Sequence, residues 1–166
     1  MKRIILTTFI IVLHFGFSAN AQEDTRIGAF LAYGTEIENI GIGANAEFPI
    51  LENFTISPSF IYYFPKEEFG GKINWFEING NAHYYFVNQD NLSAYALGGL
   101  NYSSVKVSYD DPRMGNFSHS DGRVGLNLGG GINFKISDNI IPFAELKYVF
   151  IDGSQLVASG GVKFNL

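Results

Sequence analysis

Apolar and polar positions alternate along most of the chain after residue 22. In the stretch 39–48, NIGIGANAEF, apolar side chains occupy every second position from Ile40 to Phe48, while glycine, asparagine and Glu47 occupy the others. Successive side chains of a strand point to opposite faces, so this stretch predicts one apolar face and one small, polar face. The same period of two recurs between turn-type clusters, and no apolar stripe at helical spacing is sustained. The pattern predicts an all-β protein.

Eight strands are predicted from this alternation. Their approximate ranges are 25–33, 39–48, 54–63, 73–86, 92–103, 122–135, 140–150 and 156–166. Strands of globular sheets usually have about five or six residues, and most of these are longer. Their length suits a strand that crosses a bilayer at a tilt, which needs about 9–11 residues.

The volume of a small barrel decides which face is predicted to be inside. Eight strands enclose a space just wide enough for side chains to fill, and bulky apolar residues from every strand would overfill it. The glycine, asparagine, serine and charged face therefore points inward, and the apolar face points into lipid, where closure also leaves no unpaired edge. Aromatic clusters at 62–64, 75–76 and 84–86 are predicted to form interfacial girdles. The predicted fold is an eight-stranded antiparallel up-and-down transmembrane β-barrel.

The first 21 residues have the pattern of a secretory signal peptide. Lys2 and Arg3 precede an apolar run that ends at Phe17, and Ala19 and Ala21 give the arrangement that signal peptidase accepts. A membrane-spanning helix needs about 20 apolar residues, and this run is shorter. We therefore expect residues 1–21 to be cleaved and residues 22–166 to form the barrel domain. The longer connections, including 104–121, are expected on the outside of the cell.

Charge and cysteine content exclude several function classes. The formal net charge of the chain is −5, and it becomes more negative when Lys2 and Arg3 leave with the signal peptide. This balance argues against a nucleic-acid partner. The chain has no cysteine, which rules out disulfides, thiolate zinc sites and a cysteine nucleophile. We expect no cofactor and no metal site.

With this strand pattern and glycine runs such as ALGGLNYS and LNLGGGINFKI, the chain resembles a known family. It is similar to the small eight-stranded outer-membrane barrels of Gram-negative bacteria, the OmpA/OmpX-like or porin family β-barrel proteins. The resemblance implies localisation in the bacterial outer membrane, with outer-membrane lipid and lipopolysaccharide as surroundings. It also implies insertion by the barrel assembly machinery, and roles in surface adhesion, envelope integrity or ligand docking.

Charged residues on the inward face form a candidate lumen charge network. Its predicted members are Glu47, Glu77, His83, Arg123, Lys135, Glu145, Lys147 and Lys163. Buried charges must be paired, because an unpaired buried charge costs several kcal/mol. We therefore expect a network of ion pairs and hydrogen bonds that plugs the lumen, and a selective ion path is disfavoured because eight strands leave little free bore.

The exposed loops predicted at 64–72 and 104–121 are the candidates for any recognition. The interaction candidates in the second loop are Asp110, Asp111, Arg113, Phe117 and His119. Asp110 and Asp111 could bind a cation, but no calcium-loop spacing follows them.

His119 also raises an enzymatic alternative, because Ser118, Ser120 and Asp121 surround it. Small outer-membrane barrels include enzymes that modify lipid A by acyl transfer or deacylation. A catalytic triad normally brings together distant segments of the chain, so we predict a non-enzymatic protein. A soluble lipocalin-like carrier, with the apolar face turned inward around a ligand, is the remaining alternative.

Overall fold

A computed structural model of the protein describes residues 25–68, 71–111 and 115–166. The predicted signal peptide lies outside these residues. The described residues form eight strands: β1 (Arg26–Gly34), β2 (Asn39–Leu51), β3 (Phe54–Glu68), β4 (Gly71–Asn88), β5 (Leu92–Asp111), β6 (Gly115–Phe134), β7 (Ile141–Phe150) and β8 (Gln155–Asn165). No helix in these ranges is long and apolar enough to cross a membrane.

The eight strands close into one antiparallel barrel in which each strand pairs with its neighbours in sequence. Closure comes from pairing of β1 with β8, along which Arg26 opposes Asn165 and Gly34 opposes Val157. The predicted fold class is therefore confirmed. We call the end that carries both termini of the barrel the terminal end. The opposite end, where β1 connects to β2 and β7 connects to β8, is the hairpin end.

The face assignment made from the alternation matches the burial of the side chains. Ile40 and Ile42 are about half exposed on the outside of the barrel, whereas Glu47 of the same strand is 1% exposed. On β4, the alternate residues from Glu77 to Tyr85 are buried in the interior. Apolar side chains thus cover the outer wall. The interior holds polar and charged side chains together with two buried apolar clusters, one that includes Phe30, Ile61 and Phe143 and one formed by Tyr85, Tyr95 and Leu97, so the predicted lining of small and polar residues is incomplete.

Small residues form a belt around the waist of the outer wall. They oppose one another across the strand pairs as Ala29 and Ala44, Pro58 and Gly80, Ala82 and Gly98, Ala96 and Gly130, and Ala144 and Gly160. Every strand contributes at least one member. A Cβ atom added at Gly80 would meet no atom within 4 Å, so the outer wall at this position is open space that hydrocarbon chains can fill. Larger apolar side chains lie above and below it.

Four strands extend further than predicted at the hairpin end. The loops predicted at 64–72 and 104–121 are wrong as loops, because β3 and β4 continue to Glu68 and from Gly71, and β5 and β6 continue to Asp111 and from Gly115. In this extension Val105 and Val107 pair with Asp121 and His119. β-branched residues that alternate with polar ones favour a strand, and the turn-type residues near 110–115 concealed this.

The extension makes the hairpin end uneven. Pairing between β6 and β7 begins at Leu126 and Phe150, so residues 115–125 of β6 pair only with β5. The turns after β1 and β7 are short, at 35–38 and 151–154. The wall of the barrel is therefore tall along β3 to β6 and low along β7, β8, β1 and β2.

Candidate functional site

The lumen contains two layers of buried charged and polar side chains. The Glu77 layer, nearer the hairpin end, comprises Glu77, Tyr63, Asn79, Asn101, Lys147 and Gln155. The Glu47 layer, nearer the terminal end, comprises Glu47, Arg26, Thr55, Tyr85 and Lys163. Together the two layers draw residues from all strands except β6.

Glu77 is the centre of its layer and is fully buried. Its Oε2 atom lies 2.9 Å from Nζ of Lys147 and accepts a hydrogen bond from Asn101. Its Oε1 atom accepts hydrogen bonds from the Tyr63 hydroxyl at 3.0 Å and from Gln155 Nε2 at 2.6 Å. Each carboxylate oxygen therefore has donors on both sides of the barrel, as a buried charge requires.

Asn79 extends the Glu77 layer across the lumen. Its Oδ1 atom accepts hydrogen bonds from Lys147 Nζ, Asn101 Nδ2 and Asn127 Nδ2, at 2.9, 2.8 and 2.9 Å. Asn127 also donates to Asn81 at 2.8 Å. These amides and the Lys147 ammonium connect β4, β5, β6 and β7 through side chains, in addition to the backbone ladder.

Glu47 occupies the equivalent position in the second layer. Lys163 Nζ lies 2.7 Å from Glu47 Oε2, while Oε1 accepts hydrogen bonds from the hydroxyls of Tyr85 and Thr55. Arg26 Nη1 is 3.6 Å from the same Oε1 atom. Lys163 Nζ also lies 4.8 Å from the centre of the Phe143 ring, close enough for a cation–aromatic contact.

Glu145 and His83 lie beside the Glu47 layer. The Tyr95 hydroxyl donates to Glu145 Oε2 at 2.8 Å, and the His83 ring stacks on the Tyr95 ring at 4.4 Å between centroids. His83 Nε2 is 4.0 Å from Glu145 Oε2. Three carboxylates and three basic groups, those of Arg26, Lys147 and Lys163, balance in the interior.

The other two predicted members of the lumen network lie at opposite ends of the barrel, where they are exposed. Arg123 pairs at the hairpin end with Asp121 at 2.8 Å and with Asp152 at 3.4 Å. Lys135 pairs at the terminal end with Asp138 at 3.0 Å. The alternation of inward and outward positions along the predicted strand 122–135 predicted that both residues lie in the lumen. Alternation shows which face a residue is on, but it does not show how far along the barrel axis the residue lies.

Inward-facing tyrosines were missed by the sequence prediction. Tyr63 and Tyr85 are buried in the lumen and donate to Glu77 and Glu47, although both were predicted to lie in interfacial girdles. Trp75 likewise belongs to the inner wall, where it packs edge-on against Tyr63 at 6.2 Å. Tyr63 and Tyr85 directly follow the outward residues Tyr62 and Tyr84, and neighbours on a strand point to opposite faces. This alternation could have identified both tyrosines as inward.

A concave vestibule of about 450 Å³ opens at the hairpin end. Its apolar lining comes from Trp75, Val105, Val107 and Ile151, and its charged lining from Glu36, Asp121, Arg123 and Asp152. His119 also lines it. A second, more polar cavity of about 280 Å³ lies at the terminal end, next to Arg26 and Lys135.

The predicted interaction residues around His119 are only partly described. Asp110 and Asp111 oppose Asn116 and Gly115, and Phe117 opposes Tyr109, in the backbone ladder of β5 and β6. Arg113 lies outside the described residues. Among the described residues, no group of His, Cys, Asp and Glu is arranged to hold a metal ion.

Comparison with known proteins gives the family of the chain. The family described as outer membrane protein beta-barrel domain matches residues 10–165. No curated protein sequence matches the chain at a significant level. Among solved structures, the N-terminal barrel domain of Pseudomonas aeruginosa OprF is similar with a TM-score of 0.68 and 17% identity, covering 89% of this chain and 100% of that one.

Two further solved structures share the fold. Neisserial surface protein A has a TM-score of 0.66 at 14% identity, with 86% of this chain and 96% of that chain covered. Ail, the attachment invasion locus protein of Yersinia pestis, has a TM-score of 0.56 at 18% identity, with 85% and 97% covered. With its apolar outer wall, its closed strand order and the family match over residues 10–165, the chain is an integral outer-membrane barrel and belongs to the outer membrane protein beta-barrel domain family.

Proposed function

We propose that this outer-membrane barrel is non-enzymatic, that its lumen is plugged, and that its hairpin end faces the cell exterior as a surface for recognition. The observation that carries the proposal is the pair of buried ion pairs, Glu77 with Lys147 and Glu47 with Lys163. Each pair lies in a layer of hydrogen bonds that crosses the lumen. Within these layers, every charged group of the two pairs is engaged with protein partners, so none is available to replace the water around a passing ion.

Tight packing of the inner wall supports a plugged lumen. Inward glycines lie where bulky neighbours cross the interior: a Cβ atom on Gly43 would collide with the Phe30 ring, and one on Gly131 would collide with the Tyr95 ring. An eight-stranded barrel has only enough interior volume for its side chains. The lumen is therefore filled by its own residues.

Conductance in a planar bilayer tests the plug. We expect the purified protein to show no steady conductance, and we expect a double variant, Glu77→Ala with Lys147→Ala, to show brief openings because it removes the centre of the Glu77 layer. A conservative control, Lys135→Met, changes an exposed pair at the terminal end and should stay closed. A large, steady conductance in the unchanged protein would refute the plugged lumen.

The geometry around His119 supports a non-enzymatic protein. His119 lies on β6, where Ser118 and Ser120 point to the opposite face from His119 because neighbours on a strand alternate. The inward serine of the vestibule, Ser103, opposes Arg123 rather than His119 in the ladder, and its hydroxyl donates to Asn101. None of these serines is placed to give its proton to His119, as nucleophilic catalysis requires.

Lipid A composition tests the enzymatic alternative directly. Cells that carry His119→Ala together with Asp121→Ala should have the same lipid A mass spectrum as cells that carry the unchanged protein. A lost or shifted lipid A species that returns with the unchanged gene would establish catalysis.

The partners that we propose follow from the outer wall and the family. Outer-membrane lipid and lipopolysaccharide cover the apolar outer wall, and the barrel assembly machinery inserts the chain. Outer-membrane barrels have short periplasmic turns and longer extracellular connections, so the tall wall of β3 to β6 supports an external hairpin end. Protease treatment of intact cells should cleave a tag placed after Asp152 and spare a tag placed after Asp138, whereas the opposite result would invert the orientation.

A further inference from the structure

The vestibule at the hairpin end combines an apolar wall with a negative rim. Trp75 and Ile151 pack against the buried apolar cluster of the upper lumen, so this wall is part of the rigid barrel. Val105 and Val107 continue it along the β5 extension. A concave apolar surface with a few charged groups at its edge is the usual form of a small-molecule site.

The charged groups of the rim are unequal in sign. Glu36, Asp121 and Asp152 supply three carboxylates, and Arg123 supplies one guanidinium. Arg123 is held on two sides, since its Nε and Nη2 atoms both contact Asp121 Oδ2 at 2.8 Å and its Nη1 atom contacts Asp152. The guanidinium is thus occupied by two of the carboxylates, and the rim as a whole is negative.

Glu36 is the carboxylate that remains available. It lies in the turn after β1 and is exposed to the vestibule. Among the described residues, no basic side chain forms an ion pair with it, whereas the neighbouring Glu38 is paired with Lys66 at 3.1 Å. Glu36 and Trp75 line the same vestibule, so a cation bound there has both a carboxylate and an aromatic ring in its surroundings.

These features select the chemical class of the ligand. Aromatic faces attract cations, tryptophan most strongly, and the attraction increases when the cation loses its water. An inorganic metal ion needs several oxygen or nitrogen ligands, and the described residues provide no such group. The negative rim disfavours anions. A positive group on an apolar body satisfies both the wall and the rim.

We propose that the vestibule binds a small organic cation, a protonated or quaternary amine carried on an apolar group, with Trp75 and Glu36 beside the charge and the valine wall of the β5 extension against the apolar part. This inference goes beyond the proposed function, because the plugged lumen is tested by conductance and the vestibule by binding. Either can fail while the other stands.

Trp75 provides a built-in reporter, since it is the single tryptophan of the chain. The purified protein in nanodiscs of zwitterionic lipid is titrated with butyltrimethylammonium while the tryptophan emission is recorded. We expect a saturable change in emission whose apparent Kd rises with salt concentration. Butyrate, an uncharged alcohol of similar length and a neutral hexose should give no saturable change at the same concentrations.

Two isosteric variants separate a specific site from general charge attraction. Glu36→Gln should raise the apparent Kd at least fivefold. Glu52→Gln removes the same charge at the terminal end and should leave the Kd unchanged. A third variant, Trp75→Leu, is measured by calorimetry and should lose at least tenfold in affinity while keeping the gel mobility shift of the folded barrel.

Several outcomes would overturn the proposal. A linear, non-saturable response to the cation would assign the change in emission to the lipid. Equal Kd values for Glu36→Gln and the unchanged protein would mean that the Glu36 carboxylate does not contribute to binding. A stronger saturable response to the neutral hexose than to the cation would make the vestibule a carbohydrate site instead.

Discussion

Removal of Lys147 from the Glu77 layer is the sharpest test of how the interior is held together. Lys147→Met keeps a long, unbranched side chain and deletes the charge that lies 2.9 Å from Glu77 Oε2. Breaking a buried ion pair by removing one partner costs about 3–5 kcal/mol, because the remaining charge is left uncompensated. Both side chains here are almost fully buried, at 2% and 0% exposed, so solvent cannot replace the lost partner.

The hydrogen bonds of the layer set where in this range the cost lies. After Lys147→Met, Glu77 still has Tyr63, Asn101 and Gln155 as neutral donors, so we expect a loss near the lower limit, about 3 kcal/mol. Glu77→Gln leaves the Lys147 ammonium with Asn79 Oδ1 and an amide oxygen, which are weaker acceptors than a carboxylate. We expect this variant to lose more stability.

The double variant distinguishes pairing from simple packing. Lys147→Met with Glu77→Gln leaves no buried charge in the Glu77 layer, so its loss should be smaller than the sum of the two single losses by at least about 1 kcal/mol, within the range of coupling energies for residues in contact. The control, Lys135→Met, breaks a pair in which Lys135 is 44% exposed, and it should cost no more than about 1 kcal/mol. Unfolding by urea in lipid vesicles, followed by tryptophan emission, measures all four. Additive losses in the double variant would refute the claim that the two charges stabilise each other.

Three further perturbations test the walls of the barrel. Gly43→Val drives a side chain into the buried Phe30 ring and should prevent stable folding, whereas Gly80→Val places the same side chain in open space on the outer wall and should be tolerated; the fraction that shows the heat-dependent gel shift measures both. Leu128→Arg puts a charge on the lipid-facing wall and should cost about 2–4 kcal/mol if it lies near the bilayer midplane, and an unchanged urea midpoint would place that face elsewhere. Tyr85→Phe removes a donor to Glu47 and should cost about 1.5–3 kcal/mol, as for other hydrogen bonds to charged groups; a loss below 0.5 kcal/mol would mean that Thr55 and Lys163 suffice.

The sequence predicts the barrel well because apolar and polar residues alternate every two positions, and the side chains of a strand alternate between two faces with the same period. Alternation identified Ile40 and Ile42 as outward and Glu47 as inward without knowledge of any contact, since a strand offers only two faces. The same rule separates Glu77 from Phe76. Strand existence and face are therefore local properties of this chain.

Position along the barrel axis is not a local property, and this is where the prediction was incomplete. Arg123 and Lys135 have inward parity, yet the register with neighbouring strands places them at the two ends. Register depends on turns and on the pairing of all eight strands, and no short stretch of sequence encodes it. The vestibule was missed for the same reason. Its residues Glu36, Trp75 and Asp152 lie in the β1–β2 turn, on β4 and in the β7–β8 turn, which are far apart in the sequence.

The buried charges are better understood as determinants of register than as a source of stability. Replacement of a buried ion pair by apolar residues of similar volume is often neutral or stabilising, so stability alone does not account for Glu47, Glu77, Lys147 and Lys163. A slip of one residue, however, moves a strand's inward residues to the lipid face. For the two lysines together that would cost about 4–8 kcal/mol near the midplane.

An interior of asparagine, serine and glycine would not oppose such a slip. These residues are small or neutral, and the lipid face of this barrel already carries alanine and glycine at its waist. The charges penalise the wrong register on β2, β4, β7 and β8, where each charged side chain has its partner on another of these strands. The residues that we propose to plug the lumen are thus also the ones that penalise a wrong register, which gives the charged interior a role that does not depend on conduction.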